Sequence, residues 1–244
     1  MSRAQQGLVL AILEDRISAA CRRAGRSRAS VHLLPITKTV PAHILRLAWE
    51  AGVTSFGENK VQEAVAKREA LADLPATWGI VGHLQTNKAK VVARFASAFH
   101  ALDSLRVAEA LDAHLEREGR VLDIYVQVNT SGEGSKFGLH PDALPPFVEM
   151  LERFPHLRPV GLMTLAVFTT DMDRVRPCFA LLRHLRDQIA RSHPTINTLS
   201  MGMSGDFETA IEEGADVVRV GQAIFGHRPT PDGTYWPGLA DSRA

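Results

Sequence analysis

VHLLPITKTVPAHILRLAWEAGVTSFGENK, residues 31–60, holds a short apolar run, an amphipathic stretch and a second apolar run in direct succession. Val31 to Ile36 has strand composition, Pro41 fits the first position of a helix over Ala42 to Ala51, and Gly52 closes that helix before Val53 to Phe56. Pro35 stands inside the first run without an N–H for a ladder, so that strand must be short, bulged or turned there. The same alternation continues. Further apolar runs lie at Trp78 to Val81, Ala98 to Leu102, Val121 to Val128, Arg158 to Met163, Thr198 to Met201 and Val217 to Val220. Helical stretches fall between them at Asn59 to Ala72, Lys88 to Phe95, Leu105 to Glu118, Pro141 to Arg153, Arg174 to Arg191 and Phe207 to Glu213, with Gly119 and Gly214 as stops. Eight strands alternating with helices in 244 residues predict α/β architecture with parallel pairing, closed as a (β/α)8 TIM barrel of about 250 residues. An open doubly wound sheet is the rival.

A further helix precedes the alternation, within residues 1–25: Leu8, Leu10, Ile12, Leu13, Ile17 and Ala20 recur at mostly helical spacing before Gly25. Residues 227–244, rich in Pro and Gly, read as an irregular tail, and residues 1–244 as one domain. Hydrophobic residues make up 45%, charged residues 23%, and the net charge is +1, which excludes disorder, collagen and a supercharged nucleic-acid binder. Two cysteines far apart, Cys21 and Cys178, give neither a zinc knuckle nor a disulfide framework and fit a reduced cytoplasmic setting. The apolar run Gly7 to Leu13 meets Glu14 and Asp15 too soon for a secretory signal, and no run reaches membrane-spanning length. Arg22, Arg23, Arg26 and Arg28 read as the polar side of a helix, or alternatively as an anion-facing patch.

In a barrel the loops after the strands form the active face. Lys38 directly follows the first strand, where a partly desolvated amine suits imine formation with an aldehyde; a solvated strand-end lysine is the bland alternative. The run Leu199 to Asp206 (LSMGMSGD) and the loop Arg219-Val-Gly-Gln222 occupy the positions where barrels bind phosphate. Either Ser204 and nearby amides hold an anion, with Asp206 pointing away, or Ser204 and Asp206 merely cap the helix and Gly221 merely turns the chain. His83 reads as a structural histidine, Glu58 and Glu63 are poorly spaced for an acid and base pair, and Lys136 either adds positive charge to the mouth or is a solvated loop lysine. No GxSxG, P-loop or HExxH occurs.

Six ordered segments resemble one family. They are ITKT at 36–39, FGENKVQE at 56–63, GHLQTNK at 82–88, VNTSGE at 128–133 with Ser135 and Lys136, LSMGMS at 199–204, and VRVGQAIFG at 218–226. Together they are similar to the pyridoxal 5′-phosphate (PLP) homeostasis proteins of the YggS/PROSC type, related to the N-terminal barrel of bacterial alanine racemase. The resemblance implies that Lys38 holds PLP as an internal aldimine and that Ser204, with amides near Gly221 and Gln222, grips the phosphate. It also implies that Arg219 faces the pyridine nitrogen and that Asn59 lines the cofactor pocket. An arginine at that nitrogen keeps it unprotonated and weakens the electron sink, which suits holding the cofactor. Pro35, Lys60 and Gln222 depart from the family pattern, where relatives carry a small apolar residue, Tyr and Thr respectively.

The expected function is therefore a non-catalytic PLP carrier for intracellular homeostasis that releases cofactor by transimination to apo PLP-dependent enzymes, with no nucleic-acid or membrane partner. With only about 18 residues after Gly226, no room is expected for the racemase's second domain, and a monomer is expected. The alternative is a PLP-dependent amino-acid racemase, and a third reading is a Schiff-base aldolase on a phosphorylated sugar. Lys136 is a candidate transient second attachment point.

Overall fold

The computed structural model describes residues 2–226, so the tail expected over 227–244 lies outside the described residues. The strands are β1 (His32–Pro35), β2 (Ser55–Glu58), β3 (Thr77–Ile80), β4 (Ala98–Leu102), β5 (Leu122–Gln127), β6 (Leu157–Met163), β7 (Thr198–Ser200) and β8 (Val217–Val220). All pair in parallel, in the order β1-β8-β7-β6-β5-β4-β3-β2. The helices between them are α2 (Ala42–Glu50), α3 (Val61–Ala70), α4 (Ala89–Phe95), α5 (Leu105–Glu118), α6 (Leu144–Leu151), α7 (Met172–Ile189) and α8 (Phe207–Glu212), and a short α9 (Gln222–Phe225) follows β8. The (β/α)8 barrel is thus present and the open sheet is not. Gly25, Gly52, Gly119 and Gly214 follow their helices with φ of +65°, +104°, +61° and +100°, a conformation that side chains with a Cβ resist.

The last seam to close is β1 against β2, and Pro35 is the reason it is thin. Even-numbered amides of β1 turn towards β8, as in His32 N to Asp216 O at 2.7 Å and Ile36 N to Val220 O at 2.9 Å. The odd-numbered positions therefore face β2, where Thr37 N reaches Gly57 O at 2.9 Å but Pro35 has no N–H to give. The backbone seam is joined at its upper end by the Ile36–Gly57 bridge with its Thr37 bond, and at its lower end the side chains of His32 and Ser55 meet at 3.2 Å.

Alternation along β2 and β3 sorts side chains between the two sides of the wall. Phe56 and Trp78, paired in register with ring centroids 5.3 Å apart, pack outward with Leu45, Ala48 and Leu71 of the helical layer. Full burial of such side chains is worth about 1.5–3 kcal/mol each. The intervening Gly57 and Gly79 turn inward; a Cβ at Gly57 would collide with Ile36 and crowd Leu34, while one at Gly79 would touch Leu34 and His100 at ordinary contact distance.

The N-terminal helix α1 (Arg3–Arg23) begins in a capping box, with the Ser2 hydroxyl accepting from Gln5 N and the Gln5 side chain accepting from Ser2 N. It is fastened to the barrel's outer layer by arginines. Arg16 pairs with Glu208 at 2.9 Å and Arg23 with Glu212 at 2.8 Å; Arg26, just beyond the helix, reaches Ala215 O at 2.6 Å and Asp216 at 2.9 Å. Arg28 pairs with Glu14. Arg23, Arg26 and Arg28 therefore serve internal ion pairs, which corrects the anion-facing reading of that stretch. Among the described residues no helix is long and apolar enough to cross a membrane, and no cluster of His, Cys, Asp and Glu has the makings of a metal site.

Candidate functional site

A cavity of about 320 Å³ opens at the C-terminal ends of the strands. Lys38, Asn59, Ser204, Arg219, Gly221 and Gln222, read from four separate segments of the sequence, all line it. Lys60 does not; its exposed side chain stands 4.0 Å from Glu63. Lys38 is 5% exposed, which rules out the solvated strand-end reading.

The turn carrying Lys38 is pinned on both sides. Lys67 Nζ donates to Thr37 O at 2.6 Å, and Thr39 N donates to Glu63 Oε2 at 3.0 Å. Thr39 adopts φ of +65°, which is left-handed and costs a β-branched residue about 1–2 kcal/mol. Thr37 Oγ1 donates to Glu58 Oε1 at 2.6 Å, and Lys67 is ion-paired with the same carboxylate. Burial pushes the Glu58 carboxyl above its usual range, with Lys67 opposing. Glu58 and Glu63, too poorly spaced for acid and base chemistry, thus converge on one cation.

On the opposite wall Arg219 is 4% exposed and points its guanidinium into the barrel. One arm donates to Ser200 Oγ at 2.8 Å and the other to Thr164 O at 2.8 Å. Ser200 Oγ also lies 2.9 Å from His100 Nδ1, and the His100 ring stacks on Tyr125 with centroids 4.3 Å apart. Burial first, then Arg219, holds the His100 pKa down to about 3, so the ring is neutral and its Nδ1 accepts the Ser200 proton while Ser200 Oγ accepts from Arg219. Burial likewise lowers the Arg219 pKa to about 10, which leaves it protonated at neutral pH.

Gathered amides meet Ser204, and they are those the resemblance implies near Gly221 and Gln222, not those at the start of α8. At the start of α8 the Asp206 and Phe207 amides are already bonded to Met203 O, at 3.1 and 2.9 Å. The donors that converge on Ser204 Oγ lie at the start of α9, directly after β8: Gly221 N at 3.2 Å and Ala223 N at 3.3 Å. Ser204 caps nothing in α8, and Asp206 sits at its N-cap position without a capping bond. Its carboxylate folds back to accept from Met203 N, away from the Ser204 amides, and burial raises its pKa while Arg219 and Lys136 lower it. Gly221 does more than turn the chain. A Cβ there would stand 3.0 Å from Ile36 O, a tight contact that glycine avoids where the segment after β8 presses against the end of β1. Gly82 plays the same part beside Asn59, whose carbonyl oxygen would stand 2.3 Å from an added Cβ.

The rim is partly aromatic. His83 stacks on Phe137 with centroids 4.2 Å apart and lies 4.0 Å from Asp103, whose carboxyl burial raises. Phe137 and Phe168 line the cavity yet remain more than half exposed. Lys136 lines the wall with its side chain 12% exposed, ion-paired with Glu133 and donating to Ala166 O at 2.6 Å, so it is no solvated loop lysine.

The groups present fit an aldehyde-bearing pyridine phosphate: a buried amine, a protonated guanidinium across from it, and a hydroxyl among backbone amides. Comparison with known proteins points the same way. Residues 10–229 match the family described as alanine racemase, N-terminal domain. The chain is 40% identical over 215 residues to the pyridoxal phosphate homeostasis protein of Aquifex aeolicus, covering 88% of this chain and 94% of that one. It is 41% identical over 219 residues to the protein of the same name from Pseudomonas aeruginosa, covering 90% and 94%. Among solved structures, PipY of Synechococcus elongatus with PLP bound superposes with a TM-score of 0.77 at 34% identity, covering 87% of this chain and 99% of that one. Alanine racemase of Clostridium difficile shares the fold, with a TM-score of 0.72 at 13% identity over 89% of this chain and 56% of its own. The chain belongs to the alanine racemase N-terminal domain family, and within it to the pyridoxal phosphate homeostasis proteins.

Proposed function

We propose that this protein binds pyridoxal 5′-phosphate and keeps its intracellular supply, holding it as a Schiff base on Lys38 and surrendering it by transimination. The observation that carries the reading is the convergence of Lys38, Arg219 and Ser204 on one cavity. The relatives' name and the PLP in PipY support it from outside. When bound, PLP supplies an aldehyde that condenses with an amine, with loss of water. Lys38 provides that amine, buried and aimed by its turn. Ser204, with the amides of Gly221, Gln222 and Ala223, receives the phosphate. Asn59 walls the ring on the β2 side. Arg219, protonated and braced from behind by Ser200 and Thr164, would face the ring nitrogen and, as a permanent donor, would keep a proton off it. That favours retention over vigorous carbanion chemistry, so the reading is a carrier, with weak racemase or other PLP activity as the alternative.

In this reading the protein works in the cytoplasm as a monomer and hands the cofactor to apo PLP-dependent enzymes. An incoming amine would take the place of the Lys38 amine, which is released, and Lys136 at the wall would offer a second amine on the way out. The test is to load the protein with PLP, remove free cofactor, mix it with an apo-transaminase and follow the activity that appears. Recovery of activity, slowed in Lys136→Ala and accompanied by no steady conversion of L-alanine to D-alanine, is expected. Sustained racemisation abolished by Lys38→Ala would replace the carrier with the racemase.

A further inference from the structure

We propose that Lys67 is a positioning residue: its buried ammonium, clamped between Glu58 and Glu63, fixes the backbone on both sides of Lys38 and so aims that side chain at the cofactor aldehyde. The inference rests on the PLP reading above and extends it to residues outside the cavity. Lys67, near the end of α3, lines no part of the cavity, yet its Nζ is 2.6 Å from the carbonyl immediately before Lys38. It also lies 3.5 Å from Glu63 Oε2, the same oxygen that accepts from the amide immediately after Lys38 at 3.0 Å. One cation thereby governs both flanks of a single residue. The need for such a clamp is local. Thr39 is the one non-glycine residue at positive φ among those described, and Pro35 withholds a ladder N–H from the β1–β2 seam just below the turn.

Charge explains why the clamp is a lysine. Glu58 is fully buried, and one of its oxygens, Oε2, has no hydrogen-bond partner. Two carboxylates converging on a carbonyl oxygen, with no cation between them, would repel one another and the carbonyl. With Lys67 in place, Glu58, Glu63 and Thr37 O all face one donor that has three protons to give.

Purified Lys67→Met, Lys67→Arg and Glu63→Ala are titrated with PLP and with pyridoxine 5′-phosphate, which has the ring and phosphate but no aldehyde. Borohydride then measures the fraction of bound PLP fixed to Lys38. A positioning role predicts that Lys67→Met weakens PLP at least tenfold and lowers the fixed fraction, while pyridoxine 5′-phosphate affinity stays within about twofold. Lys67→Arg, which keeps the charge and the donors, should recover most of the loss. Glu63→Ala, on the half-exposed side of the clamp, should show the same selective pattern at several-fold and serves if Lys67→Met does not fold. Equal loss of both ligands, or no selective loss of PLP in the variants that fold, overturns the proposal. Wild-type protein that binds neither ligand would instead overturn the PLP reading on which it stands.

Discussion

The brace behind Arg219 requires a neutral His100, and that requirement has a measurable cost in acid. An unfolded histidine titrates near 6.5, whereas in the fold His100 is held down to about 3. Between those values the unfolded chain binds a proton that the folded chain refuses, so stability falls as pH drops through 6.5 and continues to fall towards 3. At about pH 5 the gap of roughly 1.5 pH units corresponds to about 2 kcal/mol lost relative to neutral pH, a large share of an ordinary stability of about 5–15 kcal/mol. His32, also lowered by burial, acts in the same direction, while Glu58, Asp103, Asp206 and Asp216, raised by burial, act in the opposite one. The assay must therefore be differential. His100→Asn puts an amide oxygen near the place where Nδ1 accepts from Ser200, and it does not titrate. Urea unfolding of both proteins at about pH 7 and about pH 5 should show the wild type losing about 2 kcal/mol more than the variant between the two pH values. Equal losses would refute the assignment of a neutral, acceptor His100 behind Arg219.

Three further outcomes follow from single contacts. Ser204→Ala removes the oxygen on which Gly221 N and Ala223 N converge; PLP binding measured by equilibrium dialysis should weaken about tenfold, or about 1.4 kcal/mol, while pyridoxal without its phosphate is unaffected. Gly221→Ala forces a methyl against Ile36 O and should destabilise by about 1–3 kcal/mol in urea, with PLP affinity falling as the loop backs away from β1. Arg26→Ala strips three partners from around the end of α8, namely Ile211 O, Ala215 O and Asp216. It should cost about 2–3 kcal/mol, seen as a drop of roughly 5–10 °C in Tm, whereas Arg94→Ala, which loses only the surface pair with Glu118, should cost under about 1 kcal/mol.

Much of this was legible in the chain because two different periods alternate in it. The runs Ala98 to Leu102 and Val217 to Val220 coincide with β4 and β8, and elsewhere the ends moved by one or two residues, where the hydrogen-bond ladder and not apolarity decides. Helix Arg174 to Arg191 begins earlier, at Met172, because Asp171 caps it by accepting from Asp173 N. Pro35 announced a short strand but not that its missing N–H would fall on the one seam that closes the barrel. Lys38, Ser204 and Gly221 stood out because they follow strands, and Arg219 because it is a charge near the end of one. The residues that support them did not, since Lys67, Glu58, His100 and Ser200 act through contacts between segments far apart in sequence. His100 and Ser200 left one trace, being polar residues inside apolar strand runs. The residues alone suggested the α8 amides for Ser204, since a sequence does not reveal that Met203 O takes those of Asp206 and Phe207, whereas the resemblance pointed to the amides near Gly221 and Gln222, where those of Gly221 and Ala223 meet it.

The central claim is that Lys38 is the point of attachment. Wild-type protein reconstituted with PLP should show a visible absorption band that borohydride bleaches, and mass spectrometry of the digest should place the reduced pyridoxyl group on the peptide containing Lys38. Lys38→Ala should give no such band and no such adduct. A label found on another lysine in the wild type, or a band unchanged in Lys38→Ala, would contradict the account.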